Sequence, residues 1–142
     1  MKKVRDILEV KGLDVWSIGP DASVFDALKL MAEKDVGALV VLEGGNLAGI
    51  ISERDYARKV VLHGRASPTT QVKEIMTTGV VCVDPEQNVD ECMALVTERR
   101  IRHLPVMEGG KLIGVISIGD LVKSIITEQQ FIIEQLERYI TG

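Results

Sequence analysis

Two short runs carry residue types from which a binding site could be built. Ser52-Glu53-Arg54-Asp55 and Ser117-Ile118-Gly119-Asp120 share the pattern Ser-x-x-Asp. A serine with an acid three residues on marks the start of a helix. The hydroxyl accepts from the first turn, and the carboxylate reaches back to the serine's own N–H. The same geometry suits a ligand. The first N–H groups of a helix have no intrahelical partner and favour phosphate. A carboxylate beside them can accept from both hydroxyls of a ribose, and it repels a 2′-phosphate. Spacing alone leaves capping and binding both open, and the two can coexist.

The cations that would meet a phosphate are Arg54, Arg58 and Lys59 in one run, and Arg102 and His103 ahead of Leu104-Pro105-Val106. Arg58 follows Arg54 by four residues, so a helix would put both on one face. A solvated face is the competing reading for the arginines, and a buried, hydrogen-bonded imidazole for His103. Other chemistry is thin. Cys82, Cys92, His63 and His103 are the only thiols and imidazoles, with no C-x-x-C or H-x-x-x-H pair, which disfavours zinc. There is no Gly-x-Ser-x-Gly elbow, no Walker loop and no Gly-x-Gly-x-x-Gly, and no nucleophile stands beside a base. No catalytic residue and no metal ligand is assigned, and an enzyme is the weakest reading.

The elements that must position these residues come as a repeat. Sliding Val15–Val60 by 65 positions (80 − 15) lays it on Val80–Ile125 without a gap. Pro20 meets Pro85, Leu39 meets Leu104, Glu43-Gly44-Gly45 meets Glu108-Gly109-Gly110, and Asp55 meets Asp120. The lead-ins Val4–Leu8 and Val72–Met76 also match, but at 68 positions (72 − 4), so the first is followed by three extra residues around Gly12. Each unit reads β-α-β-β-α. Strands are expected at Val15–Ile18 and Val80–Val83, and helices capped by Ser23 and Asn88 should follow. Buried strands follow at Leu39–Leu42 and Leu104–Met107, Gly-Gly hairpins lead back through Leu47–Ile51 and Leu112–Ile116, and helices open at Ser52 and Ser117.

Composition agrees with a folded globular chain. The 142 residues are 46% hydrophobic and 27% charged, with a formal charge of −4. Apolar runs such as Leu39–Leu42 are far short of the ~20 residues that a membrane helix needs. The opening residues lack the apolar stretch of a secretory signal, and a cytoplasmic location is expected. A mildly acidic chain whose aromatics are scattered is a poor candidate for nucleic acid.

The tandem β-α-β-β-α order, with Gly49-Ile50-Ile51-Ser52-Glu53-Arg54-Asp55 and Gly114-Val115-Ile116-Ser117-Ile118-Gly119-Asp120 closing the hairpins, resembles a CBS-domain pair, or Bateman module. The likeness to stand-alone CBS-pair proteins covers about Met1 to Thr127. It implies an α/β fold of the α+β type, two repeats related by a pseudo-twofold axis, and a C-terminal helix. The first repeat with its lead-in and linker would be 1–71, the second 72–127 and the tail 128–142. It implies a non-catalytic regulatory module that binds AMP, ADP, ATP or NAD in the cleft between repeats and answers by a change of shape or assembly. The alternative is an interaction subunit that regulates a partner enzyme, its ligand only stabilising. The nucleotide contacts implied are Ser17, Ser52, Arg54, Asp55, Arg58, Arg102, His103, Pro105, Ser117 and Asp120.

The two sites are expected to be unequal. Gly119 and Ile118 stand where the first repeat has Arg54 and Glu53. Arg102, His103 and Pro105 stand where it has Gly37, Ala38 and Val40. Cys82 replaces Ser17, and a thiol is the poorer hydrogen-bond partner. Beyond the repeat, Ile125, Ile132 or Ile133, Leu136 and Ile140 form an apolar helical stripe that needs cover. Its own repeats or a second copy, as in a homodimer, would supply it.

Overall fold

The computed structural model describes residues 2–141; Met1 and Gly142, at the ends of the first and last segments above, lie outside the described residues. In chain order the elements begin with α1 (Val4–Lys11), β1 (Ser17–Ile18), α2 (Val24–Lys34), β2 (Ala38–Glu43) and β3 (Asn46–Ser52). Next comes α3 (Glu53–Tyr56), which runs into a π-helical turn, Ala57–Val61. A 3₁₀ turn (Ser67–Thr69) leads to α4 (Val72–Ile75), then α5 (Val89–Arg99), β4 (His103–Glu108), β5 (Lys111–Ser117) and α6 (Ile118–Thr141).

Two compact units result, one of Asp14–Val81 and one of Met1–Leu13 with Cys82–Gly142. The cut by compactness therefore falls after each lead-in, because each lead-in docks on the other repeat's helix start. In one unit Val72 and Lys73 donate to the carbonyls of Ala22 and Pro20, at 2.8 and 2.9 Å. In the other, Val4 and Arg5 donate to Gln87 and Pro85, each at 2.9 Å. Those acceptors are equivalent positions, 65 residues apart.

The unit Asp14–Val81 holds the three-stranded sheet β1-β2-β3. Ser23 caps α2 by accepting from the Asp26 N–H at 3.0 Å. The apolar stripe of that helix (Val24, Ala27, Met31) packs on Leu39, Val41 and Ile51 of the sheet and on Val72 and Ile75 of the lead-in. Gly44 and Gly45, at φ of 58° and 82°, make the β2–β3 turn, a left-handed pair that L side chains resist.

The other unit repeats this plan with β4 and β5, Gly109-Gly110 at the turn, and Val89, Cys92 and Val96 buried. Cys92 stands where Ala27 does. Burial, with Glu91 nearby, pushes its thiol up to about 11, so it behaves as a small apolar side chain. The strand expected at Val80–Val83 shrinks to a single bridge, Val83 to Val106. Val40 of β2 donates to the carbonyl of Trp16, just ahead of β1, at 3.3 Å. The equivalent of Val40 is Pro105, which has no N–H to give, so the ladder cannot extend.

Past Ser117 the helix and the tail read separately from the sequence are one 24-residue helix, α6. Its first turns pack on α1, α5 and β5 of the same unit. Residues 131–140 are exposed on every side.

Candidate functional site

The ten candidate residues fall five to each unit. In the unit Asp14–Val81, Ser52 ends β3 and Asp55 lies in the first turn of α3. The Asp55 carboxylate accepts from the Ser52 N–H at 3.0 Å and the Ser52 hydroxyl at 3.1 Å, while the Asp55 N–H donates to Ser52 Oγ at 3.2 Å. The capping box is thus formed. The carboxylate has further partners: the Thr77 hydroxyl at 3.3 Å and the Lys59 ammonium at 3.2 Å. Only 12% of the Asp55 side chain is exposed.

Thr77 was not singled out by sequence. It lies two residues beyond α4 and is held by reciprocal bonds with Ile50 of β3, 3.0 and 2.8 Å. Its approach is so close that a β-carbon on Gly49 would lie 2.7 Å from the Thr77 carbonyl oxygen. This is why a glycine opens the Gly-Ile-Ile-Ser run. Lys59 reaches Asp55 from one turn on and also donates to the Ile75 carbonyl at 2.9 Å. Arg54 and Arg58 are both exposed, Arg58 within the π-turn, where Leu62 donates back five residues to Ala57. Ser17 opens β1 opposite Val40 and is exposed.

In the other unit Asp120 repeats the cap: it accepts from the Ser117 N–H at 2.8 Å and donates its own N–H to Ser117 Oγ at 3.2 Å. Its cation comes from a different place. Lys11, in the last turn of α1, donates to the Asp120 carboxylate at 2.6 Å and to the Val115 carbonyl at 2.7 Å. The lead-in α4 stops after four residues, whereas α1 runs for eight. The three extra residues that the repeat register required thus accompany one more helical turn, which carries Lys11. Leu8 of that turn packs against Gly114, where a β-carbon would come 2.8 Å from its Cδ2.

His103 opens β4 directly across from Ser117, and Arg102 accepts from the Ile118 N–H through its carbonyl at 2.8 Å. Pro105 is buried mid-strand opposite Val115. Burial lowers the His103 pKa below the ordinary 6.5, and Lys11 and Arg102 lower it further against the pull of Asp120. Burial alone would raise the Asp120 pKa, but the Lys11 and Ser117 hydrogen bonds outweigh it and hold it below the ordinary 3.8.

A pH dependence follows. A histidine whose folded pKa is depressed leaves the unfolded chain with more bound protons as pH falls below about 6.5. Stability is therefore expected to decline between neutrality and mildly acid pH, and His103→Gln should flatten that decline. Urea denaturation at pH 7.5 and 5.5 checks it; an identical slope with pH in both proteins would refute it.

The sequence model of the family described as "CBS domain" matches residues 4–62 and 72–127, which is most of the chain. The chain belongs to the CBS-domain family. It carries two CBS repeats, as the β-α-β-β-α tandem implied. It is 41% identical over 149 residues to the CBS domain-containing protein CBSX3, mitochondrial, of Arabidopsis thaliana, covering 98% of this chain and 72% of that one. A solved protein with CBS domains from Burkholderia ambifaria shares 56% identity at a TM-score of 0.87, over 90% of this chain and 96% of that one. The CBS domain pair of protein MJ0100, solved with 5′-methylthioadenosine and S-adenosyl-L-methionine, has a TM-score of 0.80 at 22% identity, over 90% and 98% of the two chains, a likeness of fold. Among the described residues no cluster of three or more His, Cys, Asp or Glu could hold a metal, and no helix is long and apolar enough to cross a membrane.

Proposed function

We propose that this CBS pair is a non-catalytic regulatory module that binds an adenosine nucleotide, AMP, ADP, ATP or NAD, at its Ser-x-x-Asp residues. The observation that carries the reading is the state of Asp55 and Asp120. Each is a mostly buried carboxylate fixed at a helix start by serine, with an ammonium within 3.2 and 2.6 Å. A cap alone needs only the serine contact. A carboxylate with a cation beside it matches a ribose with a phosphate attached. The ligands of the MJ0100 pair share the adenosine moiety of the proposed nucleotides but carry no phosphate. In this reading Ser52, Asp55, Thr77 and Lys59 serve one site, with Arg54 and Arg58 as flanking cations. Ser117, Asp120, Arg102 and His103 serve the other, and Ser17 and Pro105 lie at the margins.

The response proceeds through assembly. Ile126, Ile133 and Ile140 recur at one heptad position of α6 and Val122, Gln129 and Leu136 at another. A β-branched residue at one seam position with leucine at the other, as at Ile133 and Leu136, suits a two-stranded pair. A helical end of this length exposed on every side is marginal in water by itself. A homodimer through α6 covers the stripe. A chain acting only as subunit to a partner enzyme would need no nucleotide response.

The test is thermal. AMP, ADP, ATP or NAD should raise the melting temperature by mass action, worth about 2.7 kcal/mol at a hundredfold excess over the dissociation constant. NADP should do so less, because its 2′-phosphate meets the carboxylate. No shift with any of these at millimolar concentration would overturn the reading.

A further inference from the structure

We propose that Lys11 makes the Asp120 site selective for phosphate-bearing ligands over the corresponding nucleoside. The inference rests on the nucleotide reading above and concerns a residue outside the repeat pattern. The Lys11 ammonium sits on the Asp120 carboxylate at 2.6 Å and on the Val115 carbonyl at 2.7 Å. It therefore occupies one carboxylate oxygen, Oδ2, which the Ser117 N–H also uses. A ribose whose two hydroxyls engage both oxygens of Asp120 must loosen this ion pair.

What the ligand brings then decides the outcome. A nucleoside displaces the ammonium and offers no anion in return, so the lost pair counts against binding. A nucleotide supplies a phosphate, to which Lys11 can turn on its four-carbon stem while the ribose engages Asp120. Arg102, near enough to disfavour the charged form of His103, leaves this end of the unit cationic once Asp120 is shared. The Lys11 side chain is 36% exposed and the Asp120 side chain 23%, so the pair is screened less than one in full contact with water. In the other unit the comparable ammonium, Lys59, belongs to the same helical stretch as Asp55, four residues on. Lys11 instead comes from α1, across more than a hundred residues of sequence.

The experiment is calorimetry of AMP and adenosine on the full chain carrying Asp55→Ala, so that the Asp120 site reports alone. With Lys11 present, AMP should bind at least tenfold more tightly than adenosine. Adding Lys11→Met should strengthen adenosine about three- to tenfold and weaken AMP, collapsing the ratio towards one. Lys11→Arg should keep the preference for AMP. A merely structural role for Lys11 would weaken both ligands together and leave the ratio intact, which overturns the inference. So does an unchanged ratio with unchanged affinities. If neither the parent chain nor Asp55→Ala binds any adenosine nucleotide, the functional reading itself fails, and the two failures are separate results.

Discussion

Gly49→Ala should destabilise the unit Asp14–Val81 by about 3 kcal/mol, at the upper end of what overpacking costs. The backbone at Gly49 is ordinary extended strand, so the penalty is steric. An added methyl would meet the Thr77 carbonyl oxygen at 2.7 Å and the Met76 sulfur at 2.9 Å. The methionine can move aside; the carbonyl cannot, because it accepts from Ile50 while the Thr77 N–H donates back to the same residue. Relief requires β3 and the segment after α4 to part, which also withdraws the Thr77 hydroxyl from Asp55. Gly114→Ala is the control. Its β-carbon meets only the tip of the Leu8 side chain, which can change rotamer, so the cost should be about 1 kcal/mol. Urea denaturation of the two variants gives the comparison. Equal losses would mean that the backbone approach at Thr77 is not what makes Gly49 necessary.

Leu136→Asp should weaken self-association at least a hundredfold, about 2.7 kcal/mol. Leu136 is 56% exposed in the single chain, and Ile133 and Ile140 beside it are more than half exposed. A dimer seam would bury all three twice over by symmetry. An aspartate in that seam either carries an uncompensated charge into an apolar contact or must take up a proton, and either opposes pairing. The first turns of α6, where Leu121 is buried and the helix packs on α1, α5 and β5, are untouched. The variant should therefore elute as a monomer with unchanged thermal unfolding of the repeats. Light scattering at micromolar concentration decides. A variant that stays dimeric removes α6 from the interface, and one that unfolds shows that the helix end supports its own fold.

Much of this arrangement could be read from the chain. The ungapped match of Val15–Val60 to Val80–Ile125 carried the strands, the Gly-Gly hairpins and both helix starts, because each depends on local chemistry: glycine at positive φ, serine at an N-cap, apolar runs in strands. Ser52, Asp55, Ser117 and Asp120 were legible for the same reason. What stayed hidden depends on contacts between distant segments. Nothing in the spacing of Val4–Leu8 says that it docks at Pro85 and Gln87 rather than on the repeat that follows it. Without that docking Lys11 has no visible route to Asp120, nor Thr77 to Asp55. The shortened strand near Val83 is readable in principle, since Pro105, with no N–H, stands where Val40 donates. The continuity of α6 was masked by Glu128-Gln129-Gln130, polar but good helix formers that carry the helix across a break in the apolar pattern.

The central claim is that a nucleotide is held at the Ser-x-x-Asp carboxylates, and titration calorimetry of AMP into the full chain tests it most directly, with Asp55→Ala and Asp120→Ala alongside. The parent chain should give saturable heat, and each substitution should remove part of it. The parts should be unequal, because Asp55 is held by Thr77 and Lys59 and Asp120 by Lys11 near Arg102 and His103. Both variants should stay folded, since losing a partly buried first-turn acid costs up to about 2 kcal/mol, against a total stability of about 5–15 kcal/mol. A parent chain that gives no heat at millimolar AMP, ADP, ATP or NAD, or two variants that bind as well as the parent, would contradict the account.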